Sequence, residues 1–216
     1  MSGTVFDVII LAGGRAARLG GADKPGLVVG SQSLAAAVAS AAVAAGARRV
    51  VLVGPARPDL AGITPPDGLV LAREEPPGAG PVPALRAGLA QVREQWAAVL
   101  AADLPFLRAR HLRAILDAAL SAGRGALLAD DTGRAQWLTG CWPAAGLRSA
   151  LTAYQGASLG GLLGPLDPVL VRWSAAAGEP PPWLDCDTPA ELAAARAWPG
   201  TSVYGESARH HEQGAT

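Results

Sequence analysis

The chain has 216 residues, half of them hydrophobic and 17% charged, which is the balance of a folded globular domain with a sizeable core and excludes a disordered chain. Its 18 lysines and arginines equal its 18 aspartates and glutamates, so overall charge gives no footprint for nucleic acid or an anionic membrane, and any anion must be held by a local site. Cys141 and Cys186 form no metal-ligand spacing and no disulfide framework, and the apolar run VIILA at 8–12 is too short for a signal-peptide core or a membrane span, so a cytoplasmic protein is expected.

Short apolar runs alternate with helical patterns. Residues 5–11 read as a buried strand, and 33–45 as a helix with Ser31 or Ser33 as N-cap and Gly46 at its end. Strands follow at 49–53 and 69–72. Residues 81–96 carry the helical period, with Leu85, Leu89 and Val92 on one face. The strand at 97–102 ends at Asp103. A helix at 110–122 turns Leu112, Ile115, Leu116 and Leu120 inward, and strands are predicted at 125–129 and 136–142, then a helix at 144–154. Residues 169–173 and 183–185 read as late strands, with a loop over 174–182 between them. The last helix, 189–198, has Thr188 as N-cap and Glu191 at the capping-box position. Residues 1–199 are read as one domain, and the polar, aperiodic residues 200–216 as a disordered tail.

Strand–helix alternation through the first half predicts an α/β fold of three layers, with a mostly parallel central sheet and helices on both faces. Ligands of such sheets bind beyond the carboxyl ends of the strands. That rule selects residues 11–24, 54–57 and 102–105.

The first of these is the most informative. LAGGRAARLGGADK, Leu11 to Lys24, puts a glycine pair directly after a strand. Gly13 and Gly14 allow a sharp turn whose backbone N–H groups face a ligand, a phosphate or a base edge. Arg18 and Lys24 add positive charge, the arginine as a fork and the lysine as a compact point. The loop matches neither common phosphate-binding pattern. Lys24 sits between Asp23 and Pro25, unlike GxxxxGK[ST], and Pro25 blocks the immediate helix that GxGxxG requires.

LAGGRAARLGGADK closely resembles LAGG-x-x-x-R-M-G-G-x-D-K, the signature of the molybdenum cofactor guanylyltransferases, and the likeness extends over nearly the whole chain short of the tail. The resemblance implies a Rossmann-like domain that binds GTP with Mg²⁺ and joins GMP to molybdopterin, with or without molybdenum already loaded, releasing pyrophosphate. It implies that the backbone at Leu11, Ala12 and Gly13 reads the guanine, with Gly14 also in the nucleotide site, while Arg18 and Lys24 hold the triphosphate. The related cytidylyltransferases typically have LAAG, so Gly13 favours guanine over cytosine. Other proteins of cofactor biosynthesis, or the apoenzymes that receive the cofactor, are the implied protein partners.

Further segments carry the resemblance. AADLPFL sets Asp103 just past a strand, where a carboxylate can hold a hard cation or cap a turn; it resembles C-D-x-P-F/Y, whose aspartate is a metal ligand. LDCDTPAEL, with Asp185 and Asp187, resembles D-x-D-T-P-E-D-L; Asp187 is then a second metal contact, and it also begins a helix. REEPPGAGPVPALRAGL resembles a segment with an acidic residue before G-P-L-x-G, so Glu74 or Glu75 takes the nucleoside-recognising position, with Ala84 where many relatives have glycine. In GRAQWLTGCW, Gln136 is expected on the molybdopterin side, while Trp137 departs from the usual proline, as Gly54 departs from an asparagine. His111 is read as a helix-start residue that caps or is solvated, and Trp96, Trp142 and Trp173 as core or surface anchors. Two rival functions stay open: another nucleotidyltransferase of the same fold, acting on a cytidylylated pterin or a sugar or polyol phosphate, and a GTP-binding regulator without turnover.

Overall fold

The computed structural model describes residues 4–13, 23–174 and 178–199. Gly14, Arg18 and the expected tail at 200–216 lie outside the described residues. In chain order, β1 is Phe6–Leu11, β2 Val28–Val29, β3 Gln32–Ser33, α1 Leu34–Ala44, β4 Ala47–Val53 and β5 Leu69–Ala72. Then come α2 Pro81–Leu89, β6 Trp96–Ala101, α3 Ala109–Ala122, β7 Ala126–Ala129 and β8 Ala135–Pro143. The chain continues with α4 Ala144–Ala153, α5 Leu159–Leu163, β9 Val169–Arg172 and α6 Pro189–Ala197.

Seven strands form one sheet in the order β5-β4-β1-β6-β8-β7-β9. The first four are parallel to one another. β8 runs against both β6 and β7, and β7 is parallel to β9. The sheet is therefore mostly parallel with helices on both faces, as the alternation predicts. Strand β1 is buried along its whole length. Its side chains alternate: Val8 and Ile10 pack with Val38, Leu112 and Ile115 of α1 and α3, while Ile9 and Leu11 pack with Leu85, Leu147 and Leu162 of α2, α4 and α5. Each such side chain taken from water contributes about 1.5–3 kcal/mol. A third cluster fixes α6, through Leu192 and Ala195, against Leu34, Phe106 and Cys186.

Two expectations are corrected. The helix predicted over 81–96 stops at Leu89, and Trp96 opens β6. Asp7 at the start of β1 causes the break: its Oδ2 accepts the backbone N–H groups of Arg93 at 2.7 Å and Glu94 at 3.2 Å, which holds the chain in a turn. No strand forms at 183–185; the Leu184 N–H bonds to the Pro181 carbonyl instead, in a turn that sends Cys186 into the third cluster. Of the two roles expected of His111, capping is the one observed. The residue is buried, its Nδ1 accepts the Arg108 N–H at 3.0 Å, and its ring meets Trp173 edge-on. Helix α5 and the β2–β3 hairpin carry too little periodicity to be read from sequence.

Trp142 proves to be a core residue, fully buried in the cluster of α2, α4 and α5. No helix among the described residues is long and apolar enough to cross a membrane.

Candidate active site

The carboxyl ends of β1, β4, β5 and β6 lie side by side. The end of β1 is stitched to both neighbours, by the Ala12 N–H to the Val53 carbonyl at 2.8 Å and by the Ala102 N–H to the Leu11 carbonyl at 3.2 Å. Leu11 and Ala12 are buried and Gly13 is exposed. Gly54, just past β4, has φ +152, and a Cβ there would lie 3.0 Å from the carbonyl carbon and oxygen of Ala12. A glycine at 54 therefore lets β4 end directly against the Leu11–Gly13 turn.

Beyond β5, Glu74 folds back over the same turn. Its Oε1 accepts the Gly78 N–H at 2.9 Å and would lie 3.3 Å from a Cβ added to Gly13. Its Oε2 is buried and has no hydrogen-bond partner among the described residues. Glu75 is exposed, so of the two glutamates Glu74 is the one brought to Gly13. An unpaired buried carboxylate oxygen is costly unless a ligand donor completes it.

Lys24 begins a single 3-10 turn, Lys24–Gly26, with Pro25 in its first turn. Asp23 before it is gripped by both terminal guanidinium nitrogens of Arg57, at 2.7 and 2.8 Å. That fork holds the Asp23 carboxyl below its ordinary range. Sequence reasoning does not find Arg57 as a site residue. It stands in a segment that the strand-end rule selects, but its partner lies 34 residues away and no local pattern joins them.

Lys24, Asp103 and Asp187 converge. The Lys24 Nζ contacts Asp103 Oδ2 and Asp187 Oδ1, and its side chain is only 14% exposed. β6 delivers Asp103, and the buried Leu104, Phe106 and Leu107 after it anchor the turn. Asp187 is delivered by α6. The Thr188 N–H donates to Glu191 Oε2 at 2.8 Å and the Glu191 N–H to Thr188 Oγ1 at 3.2 Å, the expected capping box. Thr188 makes that cap, and Asp187, just before it, contacts Lys24. Burial draws the Lys24 ammonium down, but the two carboxylates outweigh it and its pKa is raised. Asp185 titrates above its usual range, first through burial and then through the charges of Asp187 and Asp103.

The donors suit Mg²⁺. Asp103 and Asp187 are hard oxygen donors aimed at one cationic point, and Mg²⁺ is commonly held by one or two carboxylates with substrate phosphates and water. Among the described residues no group of three or more His, Cys, Asp or Glu forms a metal cluster, so a Mg²⁺ ion on this pair would draw its remaining ligands from elsewhere, as Mg²⁺ does from water and phosphate. Burial foremost, with the Asp103 charge, pushes the Cys186 thiol up to about 11, which leaves it protonated and a poor ligand.

Gln136, expected on the acceptor side, donates its Nε2 to Asp130 Oδ2 at 3.0 Å and so braces the turn between β7 and β8. Trp137 packs over Gly160, where an added Cβ would come within 3.2 Å of its Nε1.

The family of MobA-like NTP transferase domains matches residues 8–169. No curated protein sequence matches the chain. Among solved structures, a nucleotidyl transferase from Methanothermobacter thermautotroptrophicus is similar at 17% identity and a TM-score of 0.70, covering 90% of this chain and 97% of that one. A 2-C-methyl-D-erythritol 4-phosphate cytidylyltransferase from Thermus thermophilus follows at 20% identity and a TM-score of 0.62, with 88% and 97% covered. A molybdopterin-guanine dinucleotide biosynthesis protein A from Archaeoglobus fulgidus is similar at 16% identity and a TM-score of 0.65, with 88% and 96% covered. At these identities the likeness establishes the fold.

Proposed function

The chain belongs to the family of MobA-like NTP transferase domains, and from that premise we propose that it is a Mg²⁺-dependent guanylyltransferase, transferring GMP from GTP to molybdopterin or its molybdenum-loaded form with release of pyrophosphate. The observation that carries the transfer chemistry is the convergence of Lys24, Asp103 and Asp187 at the strand ends. Both cysteines are free and buried, which suits a reducing cytoplasm.

Guanine is supported by Glu74. The edge of guanine beside N1 presents two adjacent donors, N1–H and N2–H₂, and a buried carboxylate with a spare oxygen next to Gly13 offers acceptors for both. Cytosine presents a single amino donor there. The Leu11–Gly13 backbone forms the other side of the base slot.

The acceptor's terminal phosphate is already anionic at neutral pH, so its oxygen attacks the α-phosphorus of GTP without a general base. The bond to the pyrophosphate oxygen breaks in line, and the electron pair leaves with pyrophosphate. Catalysis then consists of positioning and charge neutralisation. Lys24 neutralises charge on the α-phosphate and pyrophosphate oxygens. Arg18, in the segment outside the described residues, is the second cation of the signature. Asp103 and Asp187 would hold Mg²⁺, which would supply Lewis-acid neutralisation of phosphate charge. Arg57 keeps Asp23, and with it the root of Lys24, in place.

Pyrophosphate release from GTP and molybdopterin tests the assignment. Lys24→Ala and Asp103→Ala should each lower turnover by about 10²-fold or more while the fold stays intact. Near-normal release by either purified variant removes that residue from the mechanism.

A further inference from the structure

Lys24 has two incompatible claims on its ammonium. It lies between Asp103 and Asp187, yet the reaction needs it on phosphate. A Mg²⁺ ion needs the same two carboxylates, and an ammonium and a divalent cation repel one another at a shared point. The stoichiometry is also uneven: one positive charge faces two carboxylates. The pair therefore retains attraction for a stronger cation once the lysine moves.

The root of Lys24 does not need to move. Asp23 is forked by Arg57, Pro25 fixes the next residue, and the Leu27 N–H closes the turn onto the Lys24 carbonyl at 3.1 Å. Only the flexible four-carbon stem swings. An anion placed over the strand ends gives the ammonium a second partner and frees the carboxylates.

We propose that Lys24 is the exchangeable counter-ion of the Asp103–Asp187 pair, held there until an anionic nucleotide draws it away, so that the lysine shuts out free divalent cation and couples metal entry to nucleotide binding. The proposal rests on the reading that Asp103 and Asp187 hold the metal. Coupling of this kind is reciprocal: nucleotide raises metal affinity, and metal raises nucleotide affinity by the same factor.

The test uses Mn²⁺ alone, without nucleotide, titrated into the full chain and followed by the electron paramagnetic resonance signal of the free ion. Lys24→Met keeps the length of the side chain and removes its charge; Lys24→Gln serves as a second neutral variant should the first fold poorly. The neutral variants are expected to bind Mn²⁺ at least about tenfold more tightly than the unmodified protein. Equal or weaker binding by a folded neutral variant overturns the proposal. Asp103→Asn, made alone and with Lys24→Met, separates this result from failure of the underlying reading. If Asp103→Asn alone weakens Mn²⁺ binding while Lys24→Met does not tighten it, the metal pair stands and the lysine's role falls. If the tight binding of Lys24→Met survives Asp103→Asn, the metal assignment falls and the proposal with it.

Discussion

Glu74, whose carboxylate lies beside Gly13, keeps Oε1 on the Gly78 N–H and leaves Oε2 buried without a partner among the described residues. Replacing it with glutamine preserves volume and one acceptor but substitutes an amide N–H₂ for an acceptor oxygen, which then faces guanine's own donors. Glu74→Gln should lower kcat/KM for GTP by about 10- to 100-fold and narrow its lead over CTP, because a mismatched buried polar contact is what gives base selectivity its size. Steady-state kinetics with both nucleotides checks this, and an unchanged ratio removes Glu74 from the base slot. At the same scale, burial foremost, with Arg110 and Arg108 beside it, pushes His111 down from 6.5 to about 4. The folded protein thus keeps this imidazole neutral where the unfolded chain protonates it. Its contribution is intact above pH 6.5 and is lost as pH falls from 6.5 towards about 4. His111→Gln retains an acceptor for the Arg108 N–H and cannot titrate, so denaturant unfolding should show a shallower loss of stability across that window than the unmodified chain. Single residues are legible in the sequence where their chemistry is local. Asp103 and Lys24 stand out in their motifs, whereas Glu74 cannot be told from Glu75 there, since burial against Gly13 is a tertiary fact.

In helix α6 the cap adjoins the cluster of Lys24, Asp103 and Asp187. Its capping box joins Thr188 to Glu191, and Asp187 leaves the chain at the residue before. Thr188→Ala removes one acceptor from the helix start and should cost about 1 kcal/mol of stability. It should also lower pyrophosphate release, because Asp187 loses its fixed root. Thermal unfolding and turnover measured together check both; loss of stability with full turnover would show that Asp187 needs no help from the cap. This helix start is readable because Thr-Pro-x-Glu is written in adjacent residues. The end of α2 is not. The helical period runs on past Leu89, and what breaks it is Asp7, on the neighbouring strand β1, accepting two backbone N–H groups. Local periodicity has no access to that partner. The reversed strand β8 carries the same lesson: its pattern announces a strand, while its direction is set by pairing with β6 and β7.

Across the whole molecule, the parallel half β5-β4-β1-β6 brings the Leu11–Gly13 turn, Glu74 and Asp103 to one end of the sheet, and α6 returns Asp187 to it from the far end of the chain. Lys24 and Asp187 are 163 residues apart, so no spacing argument unites them. The strand-end rule locates the Leu11–Lys24 segment and Asp103, and only the resemblance to a nucleotidyltransferase signature points to Asp187. The fold is shared with proteins named for guanine and for cytidine nucleotides alike, so fold alone leaves the nucleotide open and the choice falls to Gly13 and Glu74. The most direct measurement is pyrophosphate release with GTP, CTP, ATP and UTP in parallel, each with and without molybdopterin. Release that requires both GTP and molybdopterin, and exceeds that with every other nucleotide, is the predicted result. Equal or better use of CTP, or no release with GTP and molybdopterin, would contradict it.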